Sequence, residues 1–360
     1  MEIQTSVQER ESVEQMNDSL APLKTWQRQL QEGFRYPEEL LKFLDIKPDS
    51  IDSILDPSLS SVTLGFPMKV PMSLAQRMEK GNSRDPLLLQ VLPRNEELDS
   101  PSPFLTDSVG DLAATKDKGV IQKYHGRILV IMTGACAVHC RYCFRRHFPY
   151  SENTVSTHYK DHLMKIINED PTIEEIIFSG GDPLLITNEA LNSWAQVIKA
   201  LPQIKRWRLH SRLLSVLPAR FDQGLLEILN DFSTSEKKII LVSHFNHPNE
   251  INEEVQQTAN KLQKIKITLL NQSVLLRDIN DNYLILKQLS EKLFDIGLLP
   301  YYLHLLDRTK GTHHFEVSEV QALKIYHELS SSLSGYLVPK LVREIMGEPY
   351  KTPIHRSAQL

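Results

Sequence analysis

The sequence predicts an α/β fold, a partial (β/α)6 barrel preceded by a helical extension. Three observations lead there. Short apolar runs recur about every 30–45 residues from residue 127 onward. Longer stretches with helical periodicity separate them. Residues able to do chemistry sit at or just after the ends of the runs.

The elements follow in order. Over residues 18–34, Leu20, Leu23, Trp26, Leu30 and Phe34 recur at spacings of three and four, which predicts a helix. Tyr36-Pro37 breaks it, and a second helix is expected over 38–44. Residues 49–126 carry Pro57, Pro67, Pro71, Pro86, Pro93, Pro101 and Pro103, so an irregular region with short helices is expected. The apolar runs then fall at 128–132, 175–178, 207–210, 239–244, 267–270 and 301–306. Their Val, Ile and Leu content suits parallel strands buried on both faces. Stretches such as 189–200 and 281–294 suit the crossover helices. Connections of this kind are right-handed, and chemistry gathers at the carboxyl ends of the strands. This divides the chain into a helical and irregular region (1–126), a barrel (127–330) and a C-terminal segment (331–360).

Composition narrows the function. Hydrophobic residues make up 41% and charged residues 24%, as in globular proteins. The formal net charge is −4 and no basic block stands out, which argues against nucleic-acid binding. The N-terminus is polar and acidic, unlike a signal peptide. No apolar stretch approaches the roughly 18–20 residues needed to cross a membrane. A cytoplasmic location is expected.

In a reducing cytosol, clustered cysteines read as metal or redox ligands before disulfides. The three cysteines stand together as Cys136-x3-Cys140-x2-Cys143. Three thiolates can hold three irons of a [4Fe-4S] cluster and leave the fourth open. An open iron can chelate the amino and carboxylate groups of S-adenosylmethionine and pass an electron into its sulfonium. A zinc site completed by His139 or His147 is the alternative, although no second C-x2-C hook exists. Three unrelated buried thiols are another. Ser179-Gly180-Gly181-Asp182-Pro183 follows a strand, where glycines let backbone approach a ligand closely. A plain strand-to-helix turn explains that stretch equally well.

The cysteine motif, with Tyr142 before its third cysteine, resembles the signature of the radical S-adenosylmethionine superfamily. Over roughly residues 85–355 the chain further resembles the lysine 2,3-aminomutase family. The matching stretches are Cys143-Phe-Arg-Arg, Ser179-Gly-Gly-Asp-Pro-Leu, His244-Phe-Asn-His-Pro-Asn-Glu, Asn271-Gln-Ser-Val-Leu-Leu, Pro300-Tyr-Tyr and Ser334-Gly-Tyr-Leu-Val-Pro. The resemblance implies a barrel of the radical S-adenosylmethionine type and an isomerase that moves the α-amino group of L-lysine to the β-carbon. It implies pyridoxal 5′-phosphate as a further cofactor, with Lys351 as its lysine, since Lys351 lies twelve residues after Pro339 as in the family. The loop before Lys351 holds one glycine, Gly347, where the family often has several.

The same resemblance assigns the other residues. Arg145 matches the carboxylate clamp, and a guanidinium suits that task through paired hydrogen bonds. Asp307 and Glu344 match the acidic pair that holds the distal ammonium. Tyr124, Arg127 and Arg212 match contacts to the pyridoxal phosphate, with Lys123 where an arginine is more usual. Ser179, Gly180, Gly181, Asp182, His244 and Gln272 match the S-adenosylmethionine site. The chain ends soon after Lys351 and has no spare cysteine. In this it resembles the short bacterial branch that makes (R)-β-lysine for elongation factor P, where a separate ligase attaches the product. An electron donor such as flavodoxin or ferredoxin is implied, and a homo-oligomer is left open.

Overall fold

The computed structural model describes residues 25–48, 51, 65–99, 101–155 and 159–355. A ten-stranded sheet runs through it with its strands in sequence order. β1 (Thr115–Asp117) and β2 (Val120–Ile121) form a hairpin, and β2 pairs antiparallel with β3 (Arg127–Thr133). From β3 each strand lies parallel to the next: β4 (Glu175–Gly180), β5 (Arg206–His210), β6 (Lys238–Ser243), β7 (Thr268–Val274), β8 (Leu299–His304) and β9 (Lys340–Arg343). β10 (Thr352–Pro353) turns back antiparallel to β9. Among the described residues no ladder joins β10 to β1, so the barrel is partial.

Helices explain the parallel order. Among those before the barrel are α1 (Thr25–Gln31) and α2 (Pro37–Phe43). Then α3 (Lys160–Glu169), α4 (Asn188–Ala200), α5 (Gln223–Ser233), α6 (Glu253–Lys264), α7 (Tyr283–Asp295) and α8 (Glu319–Ser332) each return the chain to the start of the next strand. Local chemistry sets where they begin. Asp222 accepts from the Leu225 amide at 2.8 Å, Asn252 from Val255 at 3.1 Å and Asn282 from Leu284 at 2.8 Å. Such caps satisfy amides that the first helical turn leaves unpaired.

The six expected strands fall on β3 to β8. Of the expected helix over 18–34, α1 lies within the described residues and residues 18–24 lie outside them. Pro37 takes the first position of α2, where its missing amide does no harm. β9 escaped the pattern because it is four residues long and carries only Leu341 and Val342 as apolar residues. Only its pairing with β8 makes it a strand.

Burial along the strands also departs from the expectation. β4 is buried on both faces, but β5 and β7 alternate between buried and half-buried positions. Their buried face lies under the helices. Their other face, with Arg208, His210 and Gln272, lines an internal cavity. The core under the helices centres on Trp207, which meets Phe178 at 5.3 Å and Phe232 at 4.8 Å between ring centroids. Trp207→Ala should lose about 3–5 kcal/mol of stability. Urea denaturation followed by circular dichroism checks this.

Candidate active site

A cavity of about 800 Å³ opens at the carboxyl ends of the strands. Every candidate residue from the sequence reading lines it, from Tyr124 to Lys351. Its volume lies at the upper end of small-molecule sites, enough for more than one ligand.

The three cysteines occupy the loop after β3, and buried ion pairs hold that loop. Arg141 is fully buried and donates from Nε to Glu97 Oε1 at 2.8 Å, and from Nη2 to Oε2 at 2.5 Å. Arg146 reaches Glu97 Oε2 at 2.7 Å. Burial pushes the Glu97 carboxyl up, but the two guanidiniums outweigh it and hold it below the usual range. Backbone bonds add to the clamp: the Arg141 amide donates to Gln90 O and the His139 amide to Lys69 O, both at 2.9 Å. The proline-rich stretch before the barrel, which sequence reasoning left without a role, is thus the backing of the cysteine loop.

The glycine pair backs the loop from the other side. Gly180 has φ +130°, and a Cβ there would stand 2.4 Å from Thr133 O. A Cβ on Gly181 would stand 2.3 Å from Ala135 O. The amides of Gly181 and Asp182 donate to Thr133 O and Ala135 O, both at 2.7 Å. No side chain fits between β4 and this loop. Asp182 then ties β4 to β5, accepting from the Ser211 hydroxyl at 2.9 Å and the Arg212 amide at 2.8 Å. Burial lifts its carboxyl to about 6.

The thiols suit an iron–sulfur cluster. Burial and then the neighbouring Cys140 thiol raise the Cys143 thiol to about 11. Cys136 is raised likewise, by burial and then by Cys143. Thiols crowded in this way become ligands when a cationic centre takes the place of their protons. Among the described residues no three Cys, His, Asp or Glu side chains group closely enough for a single metal ion. The three thiols share one loop and line the cavity, the soft donor set that an iron–sulfur cluster takes.

From Arg145, beside Cys143, toward Lys351, opposite charges alternate. Arg145 donates from Nε to Asp111 at 2.6 Å and from Nη1 to Ser179 Oγ at 2.9 Å. Asp111 also binds Lys123 at 2.6 Å. Lys123 stands 3.5 Å from Glu344. Glu344 accepts from the Tyr124 hydroxyl at 2.6 Å and from Lys351 Nζ at 2.6 Å. Burial works against ionising both Arg145 and Glu344, yet Asp111 keeps the first charged and Lys351 the second. Asp307 stands apart, with Oδ1 buried and unpartnered. Burial pushes its carboxyl up to about 7.

Pyridoxal phosphate also fits these residues. Lys351 has its amine on the cavity wall, and Arg127 stacks over the Tyr124 ring at 4.7 Å. Gly347, at φ +85°, turns the loop before Lys351. Arg212 sits differently from the expectation. Its guanidinium is held by the Cys140 sulfur, Gln90 Oε1 at 2.7 Å and Glu250 at 3.5 Å, at the cysteine end and not beside Lys351. His244 stacks on Tyr142 at 5.7 Å, and burial keeps its ring neutral by lowering it to about 3.

Asp111, Glu97, His210 and His304 were not singled out from sequence. The Nε2 atoms of both histidines are buried without a partner. A lone acid or histidine carries no local signal; partners 34 to 49 residues away give Asp111 and Glu97 their meaning.

Comparison with known proteins gives the following. Residues 125–211 match the family described as a 4Fe-4S single cluster domain. The L-lysine 2,3-aminomutase of Escherichia coli (strain K12) is 46% identical over 329 residues, spanning 91% of this chain and 94% of that protein. The L-lysine 2,3-aminomutase of Haemophilus influenzae is 41% identical, spanning 91% and 95%. That of Clostridium subterminale is 29% identical, spanning 91% and 77%. Among solved structures, a radical SAM methyltransferase from Sphaerobacter thermophilus overlaps 62% of this chain and 68% of its own at 14% identity, with a TM-score of 0.44.

Glu97→Gln should unfasten the cysteine loop, because it leaves two buried guanidiniums facing an uncharged amide. Loss of one partner of a buried pair costs about 3–5 kcal/mol. Iron and sulfide per chain should fall in protein reconstituted under anaerobic conditions, while circular dichroism keeps its α/β shape.

Proposed function

This chain belongs to the L-lysine 2,3-aminomutase family, and we propose that it converts L-α-lysine to β-lysine, the R isomer, using a [4Fe-4S] cluster, S-adenosylmethionine and pyridoxal phosphate. The observation that carries this is the pairing of an arginine with one open edge and an orphaned carboxylate in one cavity. Arg145 has Nε and Nη1 engaged, and Nη2 faces no protein acceptor among the described residues. Asp307 offers the unpartnered oxygen. A substrate with a carboxylate at one end and an ammonium at the other meets both needs.

The roles of the residues follow. Cys136, Cys140 and Cys143 hold the cluster. Ser179, Gly180, Gly181, Asp182, His244 and Gln272 form the S-adenosylmethionine side of the cavity. Lys351 is the pyridoxal phosphate lysine, with Tyr124 and Arg127 as donors to that cofactor. When bound, the cluster with S-adenosylmethionine supplies a carbon-centred radical, and pyridoxal phosphate supplies an electrophilic carbon for an amine and a π system that spreads an unpaired electron.

The chain's own residues do the rest. Arg145 binds the substrate carboxylate, while Asp111 and Ser179 keep its plane fixed. Asp307 and Glu344 take the ε-ammonium. Glu344 can do so because it already holds an ammonium, that of Lys351, at 2.6 Å. Lys123, 3.5 Å from Glu344, keeps it charged when Lys351 leaves. Fixing both ends of a flexible substrate replaces a search over rotamers with one geometry. Apolar walls from Val242, Leu306 and Val342 exclude water around the reacting carbons.

No helix among the described residues is long and apolar enough to cross a membrane. The reading places the enzyme in the cytoplasm, with β-lysine passed to a ligase that modifies elongation factor P. A one-electron donor such as flavodoxin or ferredoxin completes it.

Anaerobic incubation with L-lysine, S-adenosylmethionine and dithionite, followed by chiral chromatography, should yield (R)-β-lysine. Cys140→Ala should yield none, and Lys351→Ala should lose the visible absorbance of bound pyridoxal phosphate. Unchanged lysine beside a loaded cluster and bound cofactor would give the reaction to another amino acid. Asp307→Asn should raise KM for lysine roughly ten- to a hundredfold, the worth of a charged hydrogen bond.

The pH dependence has a definite sign. Asp307 titrates at about 7 because of burial, and only its ionised form attracts an ammonium. Affinity for lysine should therefore be full well above pH 7 and fall about tenfold per unit below it. Measured KM across pH 6–9 checks this, and Asp307→Asn should flatten the profile.

A further inference from the structure

The cysteine loop meets solvent at Gly134 and Ala135, which are exposed just before Cys136. Two cations lie near its thiols, the exposed Arg35 and the half-buried Lys69. Phe34 and Val70 form an isolated antiparallel bridge, with N–O distances of 2.8 and 3.1 Å. Antiparallel pairing makes Arg35 and Lys69 the next opposed residues. Like charges in that arrangement repel. Among the described residues, the charged neighbours that act on Lys69 are Arg35 and the Cys136 thiol, with no carboxylate. The charges among them that reach His139 are those of Lys69, Arg141 and Arg35, again without a carboxylate. On a chain with formal net charge −4, this is a local reversal of sign.

The same stretch is fastened to the cysteine loop. His139 donates from its amide to Lys69 O at 2.9 Å, and its Nδ1 lies 2.7 Å from Pro67 O. Lys69 is therefore one hydrogen bond away from the loop that carries the thiols. Two unneutralised cations held face to face are unfavourable in the free protein. Acidic groups from a partner relieve that repulsion, and such pairing raises association rates.

We propose that Arg35 and Lys69 form the docking surface for an acidic one-electron carrier protein that reduces the cluster held by the three cysteines. The proposal rests on the iron–sulfur reading of those cysteines. In the step itself the carrier loses one electron and the cluster gains it; no bond forms or breaks.

The test uses the reconstituted holoenzyme and stopped-flow absorbance of the cluster, with no lysine present. Reduced flavodoxin, an acidic flavoprotein, is one donor; reduced methyl viologen, a small cation, is the other. Arg35→Glu and Lys69→Glu should each slow reduction by flavodoxin at low salt by at least roughly tenfold. Added salt should slow the wild type steeply and the variants little. Reduction by methyl viologen should not slow in either variant. Unchanged flavodoxin rates in both variants would overturn the proposal. Equal slowing with both donors would also overturn it, because Lys69 would then act on the cluster itself. A wild-type protein that takes up no iron would remove the iron–sulfur reading and the proposal with it, whatever the variants do.

Discussion

Glu97 lies buried with both carboxylate oxygens on the guanidinium nitrogens of Arg141 and Arg146. The rest of the cysteine end hangs on this pairing. Three of the residues between and after the thiols are buried arginines, Arg141, Arg145 and Arg146, and a loop carrying buried arginines collapses inward only where anions wait. Glu97 is one such anion, and it comes from the irregular stretch before the barrel. Breaking one partner of such a pair is far more damaging than its net contribution suggests, because the survivor stays buried and charged. The clamp therefore sets the position of the loop more than it adds stability.

A second run of charge leads from beside Cys143 toward Lys351. Arg145, Asp111, Lys123, Glu344 and Lys351 alternate in sign, each within 3.5 Å of the next. Asp307 adds one further carboxylate with no partner on Oδ1. With it, three cations face three carboxylates. A ligand that brings one carboxylate and one ammonium leaves that balance intact while filling the open edge of Arg145 and the orphan on Asp307. The burial that raises Asp307 to about 7 is the same burial that makes its pairing with an ammonium strong.

Position and chemistry separate along the strands. The helix-facing side of β5 and β7 is buried under helices, and the other side supplies polar groups to the cavity. Parallel order brings the carboxyl ends of β3 to β9 to the same rim, and the cavity reaches from there to Tyr124, which precedes β3, and to Lys351, which precedes β10. The close approach of β4 to the cysteine loop needs glycine at 180 and 181, where a Cβ would strike backbone oxygens. Sequence leaves these glycines open between a ligand contact and a plain strand-to-helix turn. Their first task is to let two backbones meet.

The sequence alone determined the strand–helix alternation, because apolar periodicity and capping are local properties. The cysteine motif was legible too, because its three thiols fall within eight residues of one another. Resemblance added Arg145, Asp307, Glu344 and Lys351, and all of them line one cavity. Only the tertiary structure decided which acid meets which base. Glu97, Asp111 and Glu250 read as ordinary surface carboxylates until folding buries them beside arginines. It also moved Arg212 from the expected cofactor contact to Cys140, Gln90 and Glu250. Pairings of buried charge depend on three-dimensional proximity across tens of residues, and one-dimensional spacing does not encode it.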